Sequence, residues 1–169
     1  MSWVEALILG IVQGLTEFLP VSSSGHLKLF QMLFGYENLD SYVAFDLACH
    51  LGTLLTICIV FMDQIRDLLK GDLKKIFLLF IATLPLVPLY LFRDELGAII
   101  DSPQLLGYFF LTTGFLLFLG DRLAKLATEE RSMRRGMLDS IIIGLFQAIA
   151  ILPGISRSGS TISAARALG

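Results

Sequence analysis

The chain has 169 residues, of which 55% are hydrophobic and only 17% are charged, and its mean hydropathy is +0.76. So little charge excludes an ordinary soluble domain and predicts an integral membrane protein. The formal net charge of -2 leaves no basic surface for nucleic acid. Cys49 and Cys58 lack the spacing of a redox or metal pair, so we interpret both as packing residues.

The first apolar segment, Trp3 to Leu19, is short for a membrane span and carries polar residues. Gln13 and Glu17 stand one helical turn apart, so their side chains share a face. Pro20 disfavours a continuing helix, and a polar turn follows before the apolar stretch Leu27 to Phe34. This pattern predicts a re-entrant helical hairpin over residues 1–35, with its irregular backbone buried or lining a cavity.

Three longer apolar segments follow and are predicted to span the membrane, over residues 42–62, 76–92 and 105–119. Pro85 and Pro88 are expected to kink the second of them. The connections 63–75, 93–104 and 120–136 contain four, one and five Lys or Arg residues. The positive-inside rule therefore puts the first and third connections in the cytoplasm and the second outside.

The first hairpin recurs near the end of the chain. A shift of 134 positions without a gap aligns Gly10 with Gly144, Gln13 with Gln147, Ser22 with Ser156, Ser24 with Ser158 and Gly25 with Gly159. The three spans between the copies are an odd number, so the second hairpin, residues 137–169, is expected to enter from the opposite side. We therefore predict an all-α integral membrane protein with inverted-topology repeats, in which two re-entrant hairpins meet near mid-membrane.

The two copies differ where chemistry is expected. Glu17, Ser23 and His26 of the first copy align with Ile151, Arg157 and Ser160 of the second. One copy therefore supplies an acid and an imidazole and the other a guanidinium, so that together they could form one asymmetric site.

In the first copy, Glu17 is costly at membrane depth unless it is protonated, paired or bound to a cation. With Gln13 it could hold a divalent metal through oxygen ligands, or it could move protons. His26 follows Ser23 by three residues, which suits activation of a serine nucleophile, although either residue could attack. Ser22, Ser24 and Gly25 offer further donors, and helix capping is expected to use at least one of the serines.

The second copy reads P-G-I-S-R-S-G-S-T from Pro153 to Thr161. The planar guanidinium of Arg157 matches phosphate oxygens, and the neighbouring hydroxyls and glycine amides add neutral donors. The residues that we expect to bind the anion here are Gly154, Ser156, Arg157, Ser158, Gly159 and Thr161. The alternative is that Arg157 reaches toward the membrane interface or pairs with a structural carboxylate.

Asp46 and His50 stand one turn apart in the first span, and we interpret them as a polar stripe inside the helix bundle. A transporter, including one that flips a lipid phosphate, is the competing function, because re-entrant hairpins also build ion and solute pathways. A purely structural membrane fragment is a third interpretation. The combination of Glu17, Ser23, His26 and Arg157 favours hydrolysis, which requires a nucleophile, an acid or base and a clamp together.

Two segments, Q-G-L-T-E-F-L-P-V-S-S-S-G-H and I-L-P-G-I-S-R-S-G-S-T, closely resemble the motifs of the bacitracin-resistance family of undecaprenyl pyrophosphate phosphatases. The resemblance implies removal of the terminal phosphate from a C55 isoprenoid diphosphate, giving the monophosphate carrier of cell-wall synthesis. It also implies a multi-pass protein of the bacterial cytoplasmic membrane that is assisted by a divalent cation, Mg²⁺ or Ca²⁺. The lipid tail would remain among the membrane lipids.

By motif position, Gln13 and Glu17 would be the metal-facing pair. Ser23 and His26 would provide the nucleophile and the acid or base, and Arg157 would clamp the phosphate. Family members continue through further spanning helices, so the resemblance implies that the second repeat is incomplete. Either the chain is a C-terminally truncated piece of a longer protein, or a partner supplies the missing helices. The sequence leaves both a monomer and a homodimer open, as well as the side of the membrane on which the site opens.

Overall fold

The computed structural model describes residues 1–36, 38–71, 73–92, 102–125 and 136–168. Within these ranges the chain is helical and has no β-strand, as the sequence predicts. In chain order the helices are α1 Trp3–Glu17, α2 Ser23–Leu33, α3 Val43–Val60, α4 Met62–Gly71, α5 Leu73–Thr83, α6 Leu86–Leu91, α7 Leu106–Ala124, α8 Gly136–Ile149 and α9 Arg157–Leu168. Short 3₁₀ turns at Leu39–Tyr42 and Pro103–Leu105 precede α3 and α7.

Three helical stretches of the described residues are long and apolar enough to cross a membrane: Val43–Val60, Leu73–Leu91 and Leu106–Ala124. They confirm the three predicted spans. The second consists of α5 and α6, and the helix is interrupted between Thr83 and Leu86 because Pro85 cannot donate a backbone hydrogen bond. The predicted kink therefore lies at Pro85.

The ends of the spans differ from the prediction. Residues 63–71 were expected to be a connection but form most of α4, whose charged residues are exposed. The third span continues to Ala124 rather than ending at Leu119, because Asp121 pairs with Lys125 of the same helix at 3.0 Å and with Arg166 of α9 at 2.7 Å. Residues 93–101 and 126–135, on which the loop-charge argument largely depends, lie outside the described residues.

Large apolar side chains of the described helices mostly face outward. On α3, for example, Leu51, Leu55 and Ile59 are all more than half exposed, and Phe115 and Leu111 of α7 are similar. Buried positions are instead dominated by small or polar residues such as serine, threonine, alanine and glycine. This distribution is typical of helices that pack through small residues and present apolar side chains to lipid.

The short helices pack in pairs: α1 contacts α2, and α8 contacts α9. In the first pair, Tyr36 Oη donates a 2.6 Å hydrogen bond to Glu5 Oε2, which lowers the pKa of that carboxyl group from 4.5 to about 2. The second pair packs on α7 and α5: Gly120 of α7 leaves no room for a Cβ beside Ser163, and Gly144 of α8 lies against Ala82 and Pro85.

Candidate active site

The turn between α1 and α2 begins after Glu17 and ends at Ser22, the N-cap of α2. Ser22 has a left-handed backbone with φ 68°, which is unusual for a residue with a side chain. Its Oγ accepts a hydrogen bond from Gly25 N at 3.4 Å, and its carbonyl accepts one from His26 N at 3.1 Å. The strained conformation therefore starts α2 and turns the next serine, Ser23, back toward Glu17.

The turn between α8 and α9 repeats this hydrogen bonding at the aligned positions. Ser156 Oγ accepts from Gly159 N at 3.0 Å, and Ser156 O accepts from Ser160 N at 2.8 Å. Each of these atoms is 134 positions beyond its counterpart in the first turn. The sequence repeat is therefore also a repeat of the capping hydrogen bonds, in which Ser156 corresponds to Ser22.

The two turns lie against each other. Gly154 N donates to Ser22 Oγ at 3.1 Å, so this one hydroxyl joins both turns. A Cβ on Gly25 would lie 2.8 Å from Gly154 Cα, and a Cβ on Gly159 would lie 2.9 Å from Pro20 O. Only glycine permits this close approach, and at Gly154 it also permits a φ of +100°.

Thr113, in the middle of α7, forms hydrogen bonds with the backbone of the second turn. Its Oγ1 donates to Gly154 O at 2.9 Å and accepts from Ser156 N at 2.9 Å, and the residue is only 4% exposed. Both partners are backbone groups that helix hydrogen bonds leave unpaired. The threonine therefore fixes the segment immediately before Arg157.

A cavity of about 440 Å³ opens between the two turns. The first turn contributes Glu17, Ser22, Ser23 and Ser24, and the second contributes Ser156, Arg157, Ser158 and Thr161. Its other polar lining residues are Thr16 of α1, His50 of α3 and Gln147 of α8, and its apolar lining includes Leu19 and Ile155. Most of the polar residues predicted from the two motifs therefore share one cavity.

Glu17 is the centre of the polar contacts at the first turn. Glu17 Oε2 accepts hydrogen bonds from Gln13 Nε2 at 2.9 Å and from Ser23 Oγ. Gln13 is 1% exposed, and its Oε1 has no hydrogen-bond partner among the described residues. A carboxylate beside an unpaired amide oxygen is the donor set that hard divalent cations prefer.

These two residues alone would be a sparse cation site. The described residues contain no group of three or more His, Cys, Asp or Glu side chains that could hold a metal. A cation here would need additional oxygen ligands, as Mg²⁺ takes from water and from substrate phosphates. The donor chemistry therefore fits a cation that arrives with a phosphorylated substrate.

Arg157 is exposed at the cavity at the first residue of α9, next to a pair of hydroxyls. Ser156 Oγ and Ser158 Oγ lie 3.1 Å apart, and no carboxylate of the described ranges pairs with the guanidinium. The positive end of the α9 dipole adds to the charge of Arg157. A guanidinium, hydroxyls and a helix N-terminus together can bind a phosphate group.

His26 occupies a different position from its predicted partner Ser23. His26 Nδ1 is 2.8 Å from Ser22 O, and the ring packs edge-on against Phe110 at 4.9 Å. It is not among the described residues that line the cavity, whereas His50 is. The hydroxyl of Ser23 is instead bonded to Glu17.

Comparison with known proteins shows the family of this chain. The family model described as "Bacitracin resistance protein BacA" matches residues 6–169. The chain belongs to this family. It is 52% identical over 165 residues to the undecaprenyl-diphosphatase of Protochlamydia amoebophila, covering 98% of this chain and 63% of that protein. It is 40% identical over 168 residues to the undecaprenyl-diphosphatase of Halothermothrix orenii, covering 97% of this chain and 63% of that protein. The chain thus spans slightly less than two thirds of these relatives.

Thr113 and His50 belong to the candidate site but were not assigned to it from the sequence. Thr113 lies in an apolar span beside Thr112, and nothing in its sequence position distinguishes it from a hydroxyl that bonds within its own helix. His50 was interpreted as part of a polar stripe. Its four-residue distance from Asp46 was visible, but the position of α3 relative to the two turns is a tertiary property.

Proposed function

We propose that this chain removes the terminal phosphate from undecaprenyl diphosphate, or a similar long isoprenoid diphosphate, and leaves the lipid monophosphate. The main support is one contact set: Ser23 bonded to Glu17 at one turn, facing Arg157 of the other turn across the same cavity. Relatives that bear the name undecaprenyl-diphosphatase match almost the whole chain, which supports the same substrate class. Release of the carrier for cell-wall synthesis and resistance to bacitracin would follow.

Ser23 is the nucleophile in this proposal. As its Oγ attacks the distal phosphorus, its proton passes along the existing hydrogen bond to Glu17, and the bond from that phosphorus to the bridging oxygen breaks. The lipid monophosphate leaves. Water then hydrolyses the phosphoserine, Glu17 returns its proton to Ser23, one water proton stays on the released phosphate and the other leaves the site.

Arg157 and its neighbours provide the electrostatic part of the reaction. The guanidinium faces the cavity without a protein counter-ion among the described residues, so it is available to phosphate oxygens. Ser156, Ser158, Gly154, Gly159 and Thr161 position it or add donors from the same turn. Phosphoryl transfer depends mostly on positioning and charge stabilisation, so this turn is expected to contribute strongly to the rate.

We also propose that a divalent cation, Mg²⁺ or Ca²⁺, assists the reaction. Gln13 Oε1 and the free oxygen of Glu17 would hold it, together with phosphate oxygens and water. When bound, it would neutralise charge on the diphosphate. Ser22, Ser24 and Gly25 shape the turn beside it. His26 remains a candidate for proton transfer, with its ring oriented by the bond to Ser22 O.

We also propose that the two hairpins are re-entrant, inverted repeats in the bacterial cytoplasmic membrane. The contacts between the turns support a pseudo-two-fold relation: Gly25 meets Gly154, and the aligned positions Gly159 and Pro20 meet in the same way. Exchange of the two copies therefore converts one of these two contacts into the other. Such a relation is typical of inverted repeats whose broken helices meet at mid-membrane, where the lipid tail would remain between helices.

The proposal is tested by phosphate release from a short-chain isoprenoid diphosphate in detergent, with Mg²⁺, with Ca²⁺ and with chelator. The assay compares this chain with a version extended by the segment that its longer relatives possess. Each is measured as wild type, Arg157→Ala and Ser23→Ala. Arg66→Ala and Ser140→Ala serve as controls, because Arg66 is exposed on α4 and the Ser140 hydroxyl bonds within α8.

We expect cation-dependent release that Arg157→Ala and Ser23→Ala each reduce by at least a hundredfold and the controls leave unchanged. Activity confined to the extended form would support the function and assign part of the machinery to the additional segment. Near-normal turnover of Ser23→Ala would exclude the serine nucleophile. Absence of release from every form would contradict the hydrolase proposal and favour transport of a lipid phosphate.

A further inference from the structure

His50 lines the cavity although neither motif contains it. It lies on α3, a candidate span, and shares the cavity with Glu17 and Ser23 of the first turn and Arg157 of the second. Three different elements thus bring titratable or charged side chains to the same space. The imidazole has no role in the reaction described above.

The hydrogen bond of the ring fixes its tautomer. His50 Nδ1 is 2.7 Å from the backbone oxygen of Asp46. A carbonyl oxygen only accepts hydrogen bonds, so Nδ1 carries the proton, and in the neutral ring Nε2 is the nitrogen with a free lone pair. Nε2 can therefore take up a proton while the bond that holds the ring remains intact.

The position of the helix turn that carries this ring is itself fixed. Asp46 Oδ1 accepts a 2.7 Å hydrogen bond from Nε2 of Gln31, a fully buried side chain of α2. Lys28 of α2 also interacts electrostatically with Asp46. The charged groups on the elements that surround His50 are Glu17 from α1, Lys28 from α2, Asp46 from α3 and Arg157 from α9.

We propose that His50 is a further acid/base residue of this site and accepts the proton that water loses when it attacks the phosphoserine. The inference rests on the proposed function. Water's oxygen forms a bond to phosphorus while one of its protons passes to His50 Nε2. The bond from phosphorus to Ser23 Oγ breaks, and Glu17 returns its proton to that oxygen. His50 then gives its proton to bulk water, and the cycle closes.

The test separates the two steps of the reaction. In a form of the chain that releases phosphate, His50→Gln is expected to reduce kcat by about 10² to 10⁴, the usual contribution of an acid or base. KM should fall with kcat and leave kcat/KM unchanged, because only the second step, hydrolysis of the phosphoserine, is slowed. Rapid-quench assays should show a burst of close to one lipid monophosphate per protein, and mass spectrometry should find phosphate on Ser23. Thr56→Ala, a change on the exposed side of the same helix, should show neither effect.

A second variant distinguishes proton transfer from support of the fold. His50→Ala should be rescued at least tenfold by added imidazole, which should not accelerate wild type or Arg157→Ala. Binding of a methylene-bridged isoprenoid diphosphonate should be unchanged in both His50 variants, which shows that the cavity is intact. His26→Gln provides the comparison between the two imidazoles.

Unreduced turnover of His50→Gln would overturn the inference and leave the hydrolase function standing. Slow turnover without accumulated phosphoserine, or without rescue by imidazole, would also overturn it and assign His50 to positioning. A burst seen in His26→Gln but absent in His50→Gln would transfer the role to His26. If wild type releases no phosphate in any form, the proposed function fails and this inference fails with it.

Discussion

Replacement of Thr113 by valine tests whether the second turn is held by the hydroxyl of α7. Valine conserves the shape of threonine but cannot bond to Gly154 O or Ser156 N, which the hydroxyl contacts at 2.9 Å each. Both backbone groups would remain buried without a partner, at about 1–3 kcal/mol each. We therefore expect Thr113→Val to reduce the free energy of unfolding by about 2–6 kcal/mol.

The position of that loss can be measured by amide hydrogen exchange. If the turn opens locally, a cost of about 2 kcal/mol would accelerate exchange at the Ser156 amide by about 30-fold, since about 1.4 kcal/mol corresponds to tenfold. Thr113→Ser keeps the hydroxyl and loses one methyl group, so its exchange should remain close to wild type. Thr112→Val is the matched control, because the Thr112 hydroxyl bonds to Tyr108 O within α7.

Equal protection of the Ser156 amide in Thr113→Val and Thr113→Ser would refute this reasoning, because the two variants differ in the hydroxyl on which it depends. A uniform loss of stability without faster exchange at Ser156 would also contradict it. The expected pattern is local, with the largest change in the residues that lead into Arg157 and a corresponding loss of phosphate release.

Three further predictions concern packing and pH. In thermal unfolding, Gly144→Ala should destabilise the protein by about 1–3 kcal/mol, because a Cβ would lie 2.5 Å from Ala82 O. The control is Gly10→Ala, which should be neutral or stabilising by up to about 1 kcal/mol, because a Cβ at Gly10 would have no atom within 4 Å. Gly25→Ala should separate the two turns and abolish activity while leaving helix content by circular dichroism unchanged, because its Cβ would meet Gly154. The lowered pKa of Glu5 contributes stability above about pH 4.5, and this stability is lost as the pH falls toward 2. Tyr36→Phe removes the hydrogen bond that is the largest cause of the shift, so it should make Tm less dependent on pH in that range.

The sequence predicts the helices and the two turns well, for local reasons. Pro20 and Pro85 each lie between two helices, because proline cannot donate a backbone hydrogen bond. The glycine and serine positions of the two turns recur 134 residues apart. The same reasoning did not predict that the connection at residues 63–71 is helical, because an exposed amphipathic helix is as polar as a loop. It also misjudged the end of α7, because the partner of Asp121 is Arg166, 45 residues later in the chain.

The hydrogen-bond partners of individual side chains in the site were harder to predict, because they depend on which backbone groups have no partner within a helix. The spacing of Ser23 and His26 suggested a contact between them, but the imidazole bonds to the carbonyl of Ser22, and the hydroxyl of Ser23 bonds to Glu17. The left-handed backbone of Ser22 is the physical reason, since it redirects the chain between the two residues. No propensity or periodicity in the sequence predicts that conformation for a serine.

The two copies of the repeat share the residues that cap their helices and differ at residues that the proposed reaction uses. Positions that set the geometry are the same in both copies: Ser22 and Ser156 cap their helices through the glycine three residues later. The position directly after each cap differs, and it is Ser23 in one copy and Arg157 in the other. Because the two caps place equivalent residues on either side of a common cavity, one substitution between otherwise similar turns is enough to set a hydroxyl opposite a guanidinium. A symmetric pair of serines would lack the charge for a phosphate, and a symmetric pair of arginines would lack the nucleophile, so the proposed chemistry requires the asymmetry at this position together with that between Glu17 and Ile151.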